Sequence, residues 1–252
     1  MLTRALEQCL TAAEQVHDIA TFKTWTRESV RPILNHRHLA CGHGRTTSSG
    51  VAMDYVVTVD YPNEHLLAIR NAAGGIDTPI MRRWLSTRRP VYFDAASPWE
   101  GTDPVWLEKF VKHDLRNCAA DAVFDEANCV GTYFSFHALP TIEEGCLDAT
   151  LRDLTPALHG ALLRAVASVE RDLQQASQAL ATLTEREREV ALLIGQGRSN
   201  AEIAQVVCKS ESTVKHYLSS IMDKTGCENR VCVAMLISRL LAAPLGIGTK
   251  VL

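Results

Sequence analysis

The sequence lacks most of the features that mark common function classes. No two of its eight cysteines have the CxxC spacing of a zinc knuckle or a dithiol redox centre. Cys9, Cys41, Cys118, Cys129, Cys146, Cys208, Cys227 and Cys232 are scattered, which suits free thiols in a reducing compartment better than a disulfide framework. No run reaches the roughly 18 apolar residues of a membrane span. The nearest, VCVAMLISRLLAAPLGIG, is broken by Arg239 and Pro244. The N-terminus, MLTRALEQCLTAAEQ, has the pattern of an amphipathic helix and no apolar signal region with a cleavage site. GxSxG, a P-loop and GxGxxG after a strand are all missing, which argues against an enzyme. The expectation is a cytoplasmic protein with no membrane partner and no implied cofactor.

What is present is enough apolar residue for a real core. The 252 residues are 46% hydrophobic and suit one large domain or two smaller ones. Charge is unevenly divided. The net charge of −3 does not advertise a nucleic-acid partner, yet from Thr184 onward nine Lys/Arg face seven Asp/Glu. That tilt permits a DNA-facing C-terminal end without proving one.

Periodicity predicts helices over residues 2–19 and again through Phe22, Trp25, Val30 and Ile33. HLACGHG and MDYVVTVDY read as strands separated by a Gly/Ser/Thr turn. NEHLLAIRNA is helical and stops at Gly74-Gly75; residues 78–88 and 104–117 are helical, with RPVYFD a strand between them. AVFDEA and VGTYFSFHAL form a hairpin closing near Pro140. This order predicts an α+β sandwich, an antiparallel sheet with helices packed on it. Thr155-Pro156 then reads as the start of a long helix, with Thr as cap and Pro at the first position. Its stripe of Leu158, Leu162, Val166, Val169 and Leu173 suits packing on its own sheet, a seam with a second copy, or both. Residues 174–182, polar and rich in small side chains, read as a linker between an N-terminal domain at 1–173 and a C-terminal domain at 183–252.

The C-terminal stretch predicts four short helices. Thr184 and Glu187 make a capping box ahead of Val190, Leu193 and Ile194, and Gly195 and Gly197 end that helix. Ser199 or Asn200 caps the second, with Ile203, Ala204 and Val207 inward. Ser210 caps a third that runs to Gly226, and a fourth follows Asn229. The second and third are joined by about three residues around Cys208-Lys209, a helix-turn-helix unit. On the third helix Val214, Leu218, Ile221 and Met222 share one face, and Ser212, Lys215, His216 and Ser219 the other. Donors at that spacing can reach bases and phosphates in a major groove, although an isolated helix would carry such a face for solvation alone.

This region resembles the LuxR/GerE-type helix-turn-helix of bacterial transcription regulators. The likeness spans residues 183–240 and rests on Leu183-Thr184, Arg186 to Val190, Gly197, Ser199-Asn200, Glu202-Ile203-Ala204, Ser212 to Lys215, Ile221, Lys224, Gly226 and Asn229-Arg230. Tyr217 stands where the family usually has His, Ser220 where it often has Asn, and Thr225 and Cys227 replace a common Leu and Val. The resemblance implies base contacts from Lys215, His216 and Ser219. It implies phosphate contacts from Thr213, Tyr217, Lys224 and the Ser199-Asn200 cap, with Ser212 on the same outward face. It further implies a homodimer on double-stranded DNA, with the last helix paired to its copy, and it admits RNA polymerase as a further partner. The fold expected is an N-terminal α/β/α sandwich sensor-like domain with an antiparallel sheet, linked to a C-terminal all-α four-helix LuxR-type domain.

The N-terminal layout resembles the autoinducer-binding domain of LuxR-type quorum-sensing regulators, and the whole chain is similar to EpsA-type LuxR regulators that lack the autoinducer motif. Asp77-Thr78-Pro79-Ile80 resembles that family's Asp-Pro, but Thr78 holds the place of its Asp. Its upstream Trp and Tyr fall near Glu64 or His65 and Ala68 or Ile69, and its later Trp becomes Tyr92 or Phe93. A small-molecule effector other than an acyl-homoserine lactone is therefore the expectation, with Tyr55, Asp77, Thr78, Trp84, Tyr92 and Phe93 as candidate ligand-binding residues. A regulator that needs no ligand is the alternative. Another is a metal- or redox-responsive regulator built on His36, His38, Cys41 and His43 of NHRHLACGHG. On one strand Cys41 and His43 would share a face and His36 and His38 the other, so a single extended segment cannot surround a metal ion; a half-buried strand is the plainer reading.

Overall fold

Alternating small and apolar residues place two long strands side by side, β1 (His38–Thr47) and β2 (Gly50–Val59), paired antiparallel with a bulge between His43 and Gly44. A Cβ on Gly44 would lie 2.4 Å from the Ala52 carbonyl, so glycine is what lets the two strands close on each other at the bulge. Three further strands complete the antiparallel sheet: β3 (Val91–Asp94), β4 (Asn117–Asp125) and β5 (Val130–His137). A two-residue β6 (Lys250–Val251) adds to β2 in parallel, giving the order β3-β4-β5-β1-β2-β6. The computed structural model describes residues 2–47, 50–70, 75–140, 144–242 and 250–252. The expected turn at Ser48-Ser49, the helix stop at Gly74 and the break at Pro244 lie outside them.

Helices cover both faces of the sheet. The cross-strand register sets His38, Ala40, Gly42, Cys118, Tyr133, Ser135 and His137 on one face, beneath α3 (Asn63–Ala68), α4 (Pro79–Thr87) and α5 (Pro104–Lys112). Thr78 and Asp103 cap α4 and α5, each followed by Pro at the first helical position, and α4 ends where Arg88 takes a left-handed φ of 53°. On the other face lies α6 (Glu144–Ala181): Thr155 Oγ1 donates to Asp121 of β4, and His159 Nδ1 pairs with Thr132 of β5 at 2.8 Å. α1 (Leu2–Ala13) and α2 (Ile19–Trp25), which runs on through a π turn at Thr26–Val30, complete the described helices of this unit. Arg164 of α6 donates to the Ala13 and Val16 carbonyls after α1.

One expectation is corrected. α6 starts at Glu144, so Thr155-Pro156 lies within it: the Thr155 hydroxyl serves Asp121 and not the helix end, and the buried row Leu147, Leu151, Leu154 and Leu158 carries the helix through the proline. Residues 174–181 form the last turns of the same helix. The chain divides into compact units at Ser168/Val169, and Lys250–Val251 pair with β2 of the first. Two smaller differences follow from backbone geometry. α1 stops at Ala13, short of the expected residue 19, and α5 stops at Lys112 because Asp114 and Arg116 adopt φ of 55° and 57° before β4 begins. Leu158, Leu162 and Val166 are buried within this chain, so packing on its own unit accounts for that part of the stripe.

Candidate functional site

The second unit is built from capped helices. Thr184 and Glu187 form a reciprocal capping box at α7 (Glu185–Gly195), and Ser199 and Glu202 form another at α8 (Asn200–Val206). Ser210 caps α9 (Glu211–Thr225), which ends on Gly226 in the left-handed conformation. The Asn229 side chain caps α10 (Arg230–Ala242) through the Cys232 N–H. Val207–Ser210 make the turn between α8 and α9, with Cys208 at φ 54° and the Lys209 N–H donating to the Ala204 carbonyl. Val190, Ile194, Ile203, Val214, Ile221, Val233 and Ile237 meet in one core, so α9 is seated on α7, α8 and α10 with its inner face fixed.

The outer face of α9 is open. Ser212, Lys215, His216 and Ser219 are exposed and line one shallow surface concavity together with the half-buried Thr213. Their hydroxyl, ammonium and imidazole groups sit together on one exposed face of a single helix. The remaining expected contacts lie elsewhere. Tyr217 is half-buried against the core, about a third of a turn round the helix. Ser199 serves its cap, and Asn200 Oδ1 accepts from Arg230 at 2.7 Å. Lys224, expected at a phosphate, has its ammonium 2.6 and 2.8 Å from the two carboxylate oxygens of Glu187.

Glu187 is the residue that motif reading undervalued. Its side chain is only 6% exposed, and it accepts from the Thr184 N–H at 2.8 Å and from Ser220 Oγ at 2.6 Å as well as from Lys224. The Lys224 ammonium, then the Ser220 hydroxyl, hold its carboxyl down at about 2. A carboxylate recognisable only as a cap residue therefore also ties α7 to the last turns of α9. The departure from the family pattern at Ser220 supplies one of its partners.

Residues 181–237 match the family model for bacterial regulatory proteins of the luxR family, GerE. This segment is a LuxR-family helix-turn-helix domain. The chain is 37% identical over 84 residues to the nitrate/nitrite response regulator protein NarL of Escherichia coli, covering 33% of this chain and 36% of that one. It is 33% identical over 82 residues to the transcriptional activator protein AnoR of Acinetobacter nosocomialis, covering 32% of each. It thus spans about a third of the length of these curated relatives. Among solved structures it resembles the N-acylhomoserine lactone dependent LuxR family transcription factor CepR2 of Burkholderia cenocepacia. The TM-score is 0.51 at 20% identity, over 66% of this chain and 99% of that one, a likeness of fold. Among the described residues no helix is long and apolar enough to cross a membrane.

Ahead of the LuxR-type domain, the first unit has a half-open cavity of about 50 Å³ between the sheet and helices α3, α4 and α5. Of the six candidate ligand residues, Thr78 lines it, while Trp84 lines a smaller neighbouring cavity of about 30 Å³. Tyr55 falls on the opposite sheet face, one register step from Val56, and Asp77 is held by Arg82 at 2.6 Å. The Tyr92 hydroxyl pairs with Asp94 and Asn117, and Phe93 is packed among Trp99, Trp106 and Phe110. Trp84 also donates its indole N–H to Asp121 at 2.8 Å. The residues that do meet at the cavity include Tyr61, His65, Trp106, Tyr133 and His137. None of these five is among the candidate ligand residues of the sequence, and the two histidines carried no signal beyond their residue type.

The side chains of NHRHLACGHG diverge. His36 precedes β1 and packs edge-on to Phe136, on the side of the sheet that Cys41 faces, while His38 sits opposite His137 and approaches Tyr61. His36 and His38 therefore do not share a face: the turn after α2 redirects His36. Cys41 donates to the Val57 carbonyl, and His43 lies 3.9 Å from Asp54. Among the described residues no three His, Cys, Asp or Glu side chains converge as a metal site.

Proposed function

We propose that this chain is a cytoplasmic, homodimeric bacterial transcription regulator that binds double-stranded DNA sequence-specifically through α9. The observation that carries the reading is the division of that helix. Val214 and Ile221 are fully buried, while Ser212, Lys215, His216 and Ser219 are exposed on the opposite side of a LuxR-family domain. Lys215, His216 and Ser219 read bases, and Thr213 with the α8 cap at Ser199-Asn200 meets the backbone. Lys224 fits a positioning role through Glu187 better than a phosphate contact. Two copies spaced by one DNA turn would read a site with twofold symmetry. α10 suits the pairing surface, since Val231 and Met235, four residues apart, are 66% and 53% exposed. RNA polymerase is the downstream partner of such a regulator.

The first unit serves as dimerisation and sensor domain in this reading. Binding of an effector in the cavity beneath α3–α5 shifts the balance between DNA-competent and incompetent dimers. The apolar-lined cavity supports an effector over a ligand-free scaffold, and Thr78 in place of a carboxylate supports one other than an acyl-homoserine lactone. Selection from a random duplex pool with the full chain tests the DNA claim: an enriched twofold-symmetric sequence is expected. Recovery of no enriched sequence, with only monomer sedimenting alongside DNA, would reject it. Native mass spectrometry of the freshly purified chain then checks for a retained small molecule.

A further inference from the structure

Arg230, the first residue of α10, reaches back to the loop in front of α8. Its Nη1 donates to Asn200 Oδ1 at 2.7 Å and its Nη2 to the Arg198 carbonyl, so one guanidinium grips the chain on both sides of Ser199. The base of the arginine is fixed as well. Asn229 caps α10 through the Cys232 N–H at 2.9 Å, and Val233 and Ile237 of the same helix are fully buried.

A guanidinium has donors and no acceptor. The side of the Asn200 amide that meets it must therefore be the oxygen, and the NH2 group is turned away. Among the described residues Asn200 Nδ2 has no hydrogen-bond partner, and it is not one of the buried polar atoms that lack one, so its N–H donors face solvent. Ser199, the other cap residue, is differently engaged. Its hydroxyl donates to Glu202 Oε2 at 2.8 Å and accepts from the Glu202 N–H at 3.3 Å, and its own N–H goes to the same carboxylate at 2.7 Å. Its one hydroxyl hydrogen is taken up inside the capping box. α8 is the first helix of the helix-turn-helix, the one that crosses the sugar–phosphate backbone while the second lies in the groove. A free amide NH2 at its first residue suits a phosphate oxygen, which accepts hydrogen bonds.

We propose that Asn200 Nδ2 is the phosphate donor of the α8 cap and that Arg230 is its positioning residue, locking the amide with its donors outward. The inference rests on the DNA-binding part of the proposed function and narrows the α8 contact from two residues to one.

The test titrates the twofold-symmetric duplex selected by the wild-type full chain with a set of variants, each first checked for folding by urea unfolding. Asn200→Asp keeps the shape and gives Arg230 a carboxylate, so the unbound chain is expected to be as stable as wild type or more so. Its outward atom becomes an acceptor facing a phosphate, and affinity is expected to fall by at least about tenfold. Arg230→Ala frees the amide to turn. It is expected to weaken binding about fivefold in the native background and not at all beside Asn200→Ala, because it acts through that side chain. Arg230→Gln removes the charge and keeps a donor for Asn200 Oδ1. Its salt dependence of binding should equal that of wild type, since a positioning arginine neutralises no phosphate. Wild-type affinity in Asn200→Asp overturns the proposal. So do additive losses for Arg230→Ala and Asn200→Ala, or a salt dependence shallower by about one charge in Arg230→Gln, which would make Arg230 itself the phosphate contact. If wild type binds no duplex, the DNA reading falls and carries this inference with it; if wild type binds and Asn200→Asp binds equally, only the inference falls.

Discussion

Replacing Glu187 by glutamine probes the centre of the helical unit, because the shape is kept while the charge is lost and one acceptor oxygen becomes a donor. In the native chain the carboxylate is 6% exposed and receives five hydrogen bonds, from the Thr184 N–H and Oγ1, from Ser220 Oγ and, at both oxygens, from Lys224. Its carboxyl is held at about 2 against an ordinary 4.5. A folded-state value below the unfolded one means that the charged form stabilises the fold. The contribution is complete above pH 4.5 and is lost as pH falls from there through about 2. At 1.36 kcal/mol per pH unit the shift corresponds to roughly 3 kcal/mol, and the one-third exposure of Lys224 brings the expectation to about 2 kcal/mol. Breaking the pair strands a cation beside a buried amide, which sets the same scale. All four tryptophans precede residue 107, so indole fluorescence reports the first unit, whereas far-UV circular dichroism reports the helices of both. In urea at neutral pH, Glu187→Gln is expected to move the dichroism transition to lower denaturant and leave the fluorescence transition in place. In the same variant the fall in stability between pH 4.5 and pH 2 should flatten. A dichroism midpoint equal to wild type would refute the assignment of Glu187 as the tie between α7 and α9.

Other perturbations test the packing around the site. Gly195→Ala would set a methyl 2.2 Å from Ile237 Cγ2 and 2.7 Å from its Cβ, forcing α10 away from α7; a loss of about 1–3 kcal/mol in urea unfolding is expected. Combined with Ile237→Ala the two losses should be less than additive, and strict additivity would deny the contact. Asp121→Ala removes the carboxylate that joins Trp84 of α4 to Thr155 of α6 at 2.8 Å each, and should lower the fluorescence transition by about 2–4 kcal/mol.

How much of this was readable in advance depends on whether the cause was local. The capping box at Thr184, a cap at Ser199 or Asn200, the C-cap at Gly226 and the inward row on α9 are set by residues within a few positions of one another, and pattern reading finds them; that Ser199 caps, in a second box with Glu202, is seen in the fold. Strand alternation placed β1, β2 and the β4–β5 hairpin for the same reason. Thr155-Pro156 misled because its local chemistry is that of a helix start. What overrides it is Asp121, 34 residues earlier, which takes the hydroxyl, and a leucine row buried against the sheet. The second role of Glu187 depends on Ser220 and Lys224, more than 30 residues away. The cavity was not legible residue by residue, since His65, Trp106 and His137 come from separate elements and only the sheet register and two covering helices bring them together.

The central claim, that the outward face of α9 reads DNA, meets its most direct test in a titration of the selected duplex with wild type and Lys215→Ala across a range of salt. Lys215 is exposed and lies beside Ser212, His216 and Ser219 on the open face. The account predicts a loss of about 1–3 kcal/mol if Lys215 meets a guanine, or a salt dependence shallower by about one charge if it meets a phosphate. Affinity and salt dependence both equal to wild type would contradict it.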